Sequence, residues 1–194
     1  MYQVFHKLSR AMAYLGGLML VVLIFIICAS ILGRSLNGVL HSDQVMSAVP
    51  ALAQGLIDIG IGPINGDFEL VEAGVAFAIF AFLPLCQITG GHASVDIFTS
   101  HFSPRFNRVL QMLIDILFAF VLILIAVQLM GGLQSKLRSG QTSFLLEFPV
   151  WWGYALCMFG AVAAAVVSVY IAVMRVMGVL AGREFLPQTE GAEH

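Results

Sequence analysis

Glu69 and Glu72 stand three residues apart, Arg34 lies upstream of them, and all three fall at the edges of apolar runs. Positions three apart share a helix face, so the two carboxylates could receive a cation, a proton or an arginine. An ion pair of Arg34 with Glu72, tying two helices, is the expected use, because a guanidinium grips a carboxylate with two bonds. Binding of an ion or a substrate is the alternative. Asp115 is the one acid well inside an apolar run, with Gln111 one turn before it. A carboxylate there suits proton or sodium traffic, but no second acid is near in sequence. It has a partner helix, a water-filled crevice or another span to face. His92 and Asp96 are four apart and can meet on one helical turn, yet two ligands make a poor metal site. Capping a short helix or meeting a neighbouring protein is their expected role.

Other chemistry finds no residues. His6, His41, His92, His101 and His194 all lie outside the apolar runs, so none suits the paired axial ligation of a membrane haem. Cys28, Cys86 and Cys157 lie inside them and read as small buried hydrophobes. There is no Gly-rich phosphate loop, no Ser/His/Asp or Cys/His arrangement and no zinc spacing, so neither catalysis nor a cofactor is expected.

The elements that position these residues follow from composition. Of 194 residues, 60% are hydrophobic and 10% charged, against roughly 25% charge in a soluble domain; mean hydropathy is +0.96. The chain is an integral membrane protein lying in a lipid bilayer, and a net charge of -2 leaves no basic field for nucleic acid. Four apolar runs, about 11–32, 70–88, 109–130 and 150–174, are each long enough to cross roughly 30 Å of hydrocarbon, where only a helix satisfies its own backbone. The fold class is therefore all-α, a single membrane domain of four transmembrane helices over 1–194, with no repeat. The first run exceeds the roughly 7–15 residues of a signal core and reads as a retained span.

Orientation follows from Lys and Arg. Lys7, Arg10, Arg105, Arg108, Arg175 and Arg183 fall on one side, and Arg34, Lys136 and Arg138 on the other. The positive-inside tendency puts both termini in the cytoplasm. The loop 34–66 is long enough to hold structure of its own. With Ser47 as N-cap and Pro50 in the first turn, Val49, Leu52, Leu56 and Ile59 form one face of a short interfacial helix; an irregular loop is the alternative. Gly131-Gly132 ends the third span, and Lys136 and Arg138 follow in a short loop. Trp151, Trp152 and Tyr154 suit an interfacial anchor. In the fourth span Gly160, Ala164, Ser168 and Ala172 form a ridge of small residues that admits another helix, from this chain or another. The tail, 182–194, is short and polar.

The spans, with Arg34 after the first, Glu72 entering the second, Gly91-His92-Ala93-Ser94-Val95-Asp96 and then Pro104, and Gly140-Gln141-Thr142 before Phe148-Pro149-Val150-Trp151, carry a resemblance. The chain resembles the small four-helix membrane subunit (Q-type, DctQ-like) of tripartite ATP-independent periplasmic, or TRAP, transporters. The resemblance implies a bacterial or archaeal cytoplasmic membrane, a large membrane subunit carrying the substrate and sodium sites, and a periplasmic binding protein delivering a small organic acid. It casts this chain as a scaffold beside which the transport domain moves like an elevator. His92, Asp96, Gln111, Asp115, Gly160, Ala164 and Ser168 are then candidates for meeting the large subunit, and Lys136 and Arg138 for meeting the binding protein. A membrane anchor for a redox complex, holding a quinone, is the alternative from another class.

Overall fold

An apolar run of about twenty residues satisfies its own backbone in hydrocarbon as a helix, and the four long runs all become helix. The computed structural model describes residues 2–58, 60, 62–91 and 104–181. Its helices are α1 (Tyr2–Leu40), α2 (Asp43–Ala48), α3 (Pro50–Asp58), α4 (Asp67–Thr89), α5 (Pro104–Ser139) and α6 (Trp151–Ala181). Helices α1, α4, α5 and α6 are long and apolar enough to span a membrane. Among the described residues the only β pairing is a single bridge, Thr142 with Pro149.

All four helices outrun the expected spans, and α1 and α5 do so most. Helix α1 has 39 residues and α5 has 36, roughly 58 and 54 Å at 1.5 Å per residue. Arg34 is consequently inside a helix, not at the start of a loop. The Gly131-Gly132 pair does not end α5, which continues through Lys136 and Arg138 to Ser139. These glycines mark packing instead: a methyl group on Gly132 would lie 2.7 Å from the Tyr154 ring.

The expected single interfacial helix is two. Val49 precedes Pro50, and the proline ring disfavours the α region for its predecessor. Val49 accordingly sits at φ -142°, ψ 62°, ending α2, and Pro50 starts α3. Ser47 is not an N-cap; its hydroxyl donates to the Gln44 carbonyl.

The four spans form a row, not a closed bundle. Helix α1 packs on α4, α4 on α6, and α6 on α5, giving the order first, second, fourth, third. At its N-terminal end α1 also reaches α6, where Phe5 stacks on Tyr170 at 4.2 Å. The inner helices α4 and α6 have 39% and 50% of their apolar windows buried, the outer helices α1 and α5 only 17% each. Small residues set the close approaches. A methyl on Gly16 would lie 3.1 Å from Ala81 Cβ, one on Gly74 2.8 Å from Leu23, and one on Gly160 2.7 Å from Phe80 Cβ.

These contacts make α1 antiparallel to α4, α4 parallel to α6, and α5 antiparallel to α6. One rim gathers the C-terminal ends of α1 and α5 with the N-terminal ends of α4 and α6. The other rim gathers the remaining four.

Candidate functional site

At the first rim, α1 and α4 are joined by a hydroxyl more closely than by an ion pair. Ser30 is fully buried; its Oγ donates to Asp67 Oδ2 at 2.5 Å and accepts from the Ile64 amide at 3.3 Å. Arg34, one turn further, reaches Asp67 at 4.0 Å with its side chain 69% exposed, a solvated and correspondingly weak contact. The expected pairing of Arg34 with Glu72 is therefore corrected. Because α1 runs on as helix past Arg34, the arginine stands level with the first residue of α4, and Asp67 meets it before Glu72 can.

Glu69 has a different task. Its Oε1 and Oε2 accept the amides of Leu145 and Leu146, at 2.8 and 3.0 Å. Those amides belong to the loop between α5 and α6, which folds back on itself: Ser143 N donates to Phe148 O at 2.9 Å and Val150 N to Gln141 O at 3.0 Å. Gly140 at φ +62° turns the chain into this loop, and Glu147 adopts φ +53°, uncommon for a residue with a side chain. Leu146 seats against Gly66, where a Cβ would collide with it. Lys136 donates to Gln141 Oε1 at 2.6 Å, holding the loop to the end of α5.

Under the loop lies a crevice of about 850 Å³ between α4 and α5, floored by α6. Ala73, Ala76 and Phe80 of α4 and Tyr154 and Cys157 of α6 give it apolar walls, and Glu72 and Glu147 stand at its mouth. Both glutamates are exposed. The rim is thus a set of carboxylates, two engaged in holding structure and two facing an open crevice. Among the described residues, no three His, Cys, Asp or Glu side chains converge to hold a metal.

At the opposite rim, Asp115 meets Arg175. Arg175 Nε donates to Asp115 Oδ2 at 3.0 Å, with both side chains only 19% exposed, and its Nη1 donates to Gln111 Oε1 at 3.1 Å. One guanidinium holds two acceptors one turn apart on α5, so Gln111 and Asp115 are engaged within the chain. Sequence inspection assigned Arg175 only to orientation. The missed signal was depth: Asp115 lies about three turns into α5 and Arg175 about two turns before the end of α6, similar levels in antiparallel neighbours.

The small-residue ridge is likewise internal. Gly160, Ala164 and Ser168 are buried; Gly160 faces Phe80 of α4, and Ala164 packs with Leu122 of α5. These three residues are not a surface for another chain. Pro84 inside α4 explains part of the fit, since it lacks the N–H that would bond the Phe80 carbonyl, and Gly160 comes up against that carbonyl. His92 and Asp96 lie outside the described residues.

Residues 58–178, more than half of the chain, match the family model described as tripartite ATP-independent periplasmic transporters, DctQ component. Neither the curated proteins nor the solved structures returned a match.

Proposed function

The chain belongs to the DctQ component family of the tripartite ATP-independent periplasmic transporters, and from that premise we propose that it is the scaffold subunit of a sodium-coupled transporter for a small organic acid. The observation that carries this is the row of spans. Its two outer helices are little buried within the chain, and large apolar side chains such as Leu18, Phe25, Leu117 and Phe120 stand exposed along them. A row of this kind widens a membrane platform without enclosing a path. The polar groups support the same view: Asp115, Gln111 and Arg175 satisfy one another, and Asp67 and Glu69 hold the elements of the first rim together. Sodium and substrate then belong to a large membrane subunit, which meets the broad apolar face of the row and the segment around His92 and Asp96.

Lys7, Arg10, Arg105, Arg108 and Arg175 lie toward the opposite rim, while Arg34, Lys136 and Arg138 lie toward the first. The positive-inside rule makes the first rim periplasmic, in a bacterial or archaeal cytoplasmic membrane. There α2, α3, Lys136 and the exposed Arg138 offer the binding protein a surface. A cysteine placed at Ser139, in a chain with Cys28, Cys86 and Cys157 replaced, is expected to react with an impermeant maleimide in intact cells. Reaction only after the membrane is opened would reverse this orientation.

Reconstitution tests the function. In proteoliposomes under a sodium gradient this chain alone is expected to move no organic acid, and uptake is expected only with the large subunit and the loaded binding protein both present. Uptake by this chain alone would refute the scaffold role.

A further inference from the structure

The crevice of the first rim has a chemistry that the scaffold role does not use. Helices α4 and α5 pack along α6 and not along each other, so an open groove of about 850 Å³ runs between them. Ala73, Ala76, Phe80, Leu129 and Cys157 give it apolar walls; of the three glutamates that line it, Glu69 is taken up by the loop amides, and Glu72 and Glu147 remain open at the mouth. Neither glutamate has a cationic partner among the described residues, unlike Asp67 and Asp115. Both carboxylates are exposed, so their charge is open to a cation that arrives at the mouth. Lys136 is one residue removed from the groove: its ammonium donates to Gln141 Oε1 at 2.6 Å, and Gln141 lines the groove.

We propose that this groove is a seat for one phospholipid with a primary-ammonium headgroup. An acyl chain lies along Ala76, Phe80 and Leu129, the ammonium donates to Glu72 and Glu147, and the phosphate faces Lys136. Two carboxylates and one amine match a zwitterion that carries ammonium and phosphate a few atoms apart. They do not match a lipid whose headgroup is only anionic, because that would set negative charge against Glu72 and Glu147. Groove walls of aliphatic and aromatic side chains suit an acyl chain, which gains close contact along them.

The test is lipid retention by the whole chain. Purified in mild detergent and mixed with equal amounts of phosphatidylethanolamine and phosphatidylglycerol of identical acyl chains, the protein is analysed by native mass spectrometry. Retention of phosphatidylethanolamine is expected to exceed that of phosphatidylglycerol by about tenfold, corresponding to about 1.4 kcal/mol. The double variant Glu72→Gln/Glu147→Gln is expected to bring the two lipids near parity while its thermal unfolding stays unchanged, since neither carboxylate holds the fold together. Ala76→Phe fills the wall and is expected to reduce retention of both lipids. Equal retention by the unaltered chain, as for a groove that a helix of another protein covers, would overturn the proposal. So would a preference that survives the double substitution, or retention indifferent to Ala76→Phe.

Discussion

Asp115→Ala is expected to destabilise the chain by about 3 kcal/mol, toward the low end of the roughly 3–5 kcal/mol that follows from removing one partner of a buried ion pair. The cost comes from what remains. Arg175 keeps its charge at a level where its side chain is 19% exposed, and of its two acceptors only Gln111 is left. Arg175→Ala removes the same ion pair from the side of Asp115. Removing both leaves two neutral side chains, so the double variant is expected to lose less than the sum of the single losses, with a coupling energy of about 1–3 kcal/mol. Arg175→Lys separates charge from geometry: lysine keeps the charge but lacks the planar fork that spans Gln111 and Asp115 together, so an intermediate loss is expected. Reversible unfolding of the unaltered chain and the four variants in mixed micelles checks this. Additive single losses would show that the three groups do not act as a unit.

How much of this was legible in the residues depends on the length scale of each feature. The four spans were, because hydrocarbon thickness dictates apolar runs of a minimum length. Their ends were not, because a helix continues into water without needing apolar residues. Arg34 and Asn37 extend α1 as Lys136 and Arg138 extend α5. Val49 could have been found, since the constraint that proline imposes on its predecessor is local. The order of the row could not, because two antiparallel helices joined by a short loop pack as well on either side of a third. Glu69 illustrates the same limit at a single residue. Its partners are backbone amides more than seventy positions away, and an amide carries no residue type to recognise. Arg34 was assigned the wrong acid for a related reason: Asp67 and Glu72 are both within reach in sequence, and only the continuation of α1 decides between them.

The ridge in α6 was recognised in the sequence but not its partner, and this gives the second large effect. Gly160→Leu is expected to force α4 away from α6. Even the first carbon of a side chain would lie 2.7 Å from Phe80 Cβ and 3.0 Å from its carbonyl carbon, and backbone cannot rotate out of the way as a side-chain tip can. Overpacking by single methylenes costs about 1–3 kcal/mol, so Gly160→Ala is expected in that range and Gly160→Leu beyond it. Gly131→Ala is the matched control. Nothing lies within 4 Å of the position its Cβ would take, and alanine favours helix over glycine by up to about 1 kcal/mol, so this change is expected to be neutral or stabilising. Opposite signs for the same substitution at two helical glycines would separate packing from propensity; thermal unfolding in one detergent measures both. If Gly160→Ala proved as harmless as Gly131→Ala, the close approach of α4 to α6 would not be what holds the centre of the row. The consequence reaches the first rim, because Glu69 on α4 and the loop that enters α6 meet only while those two helices stay together, and the crevice between α4 and α5 has α6 as its floor.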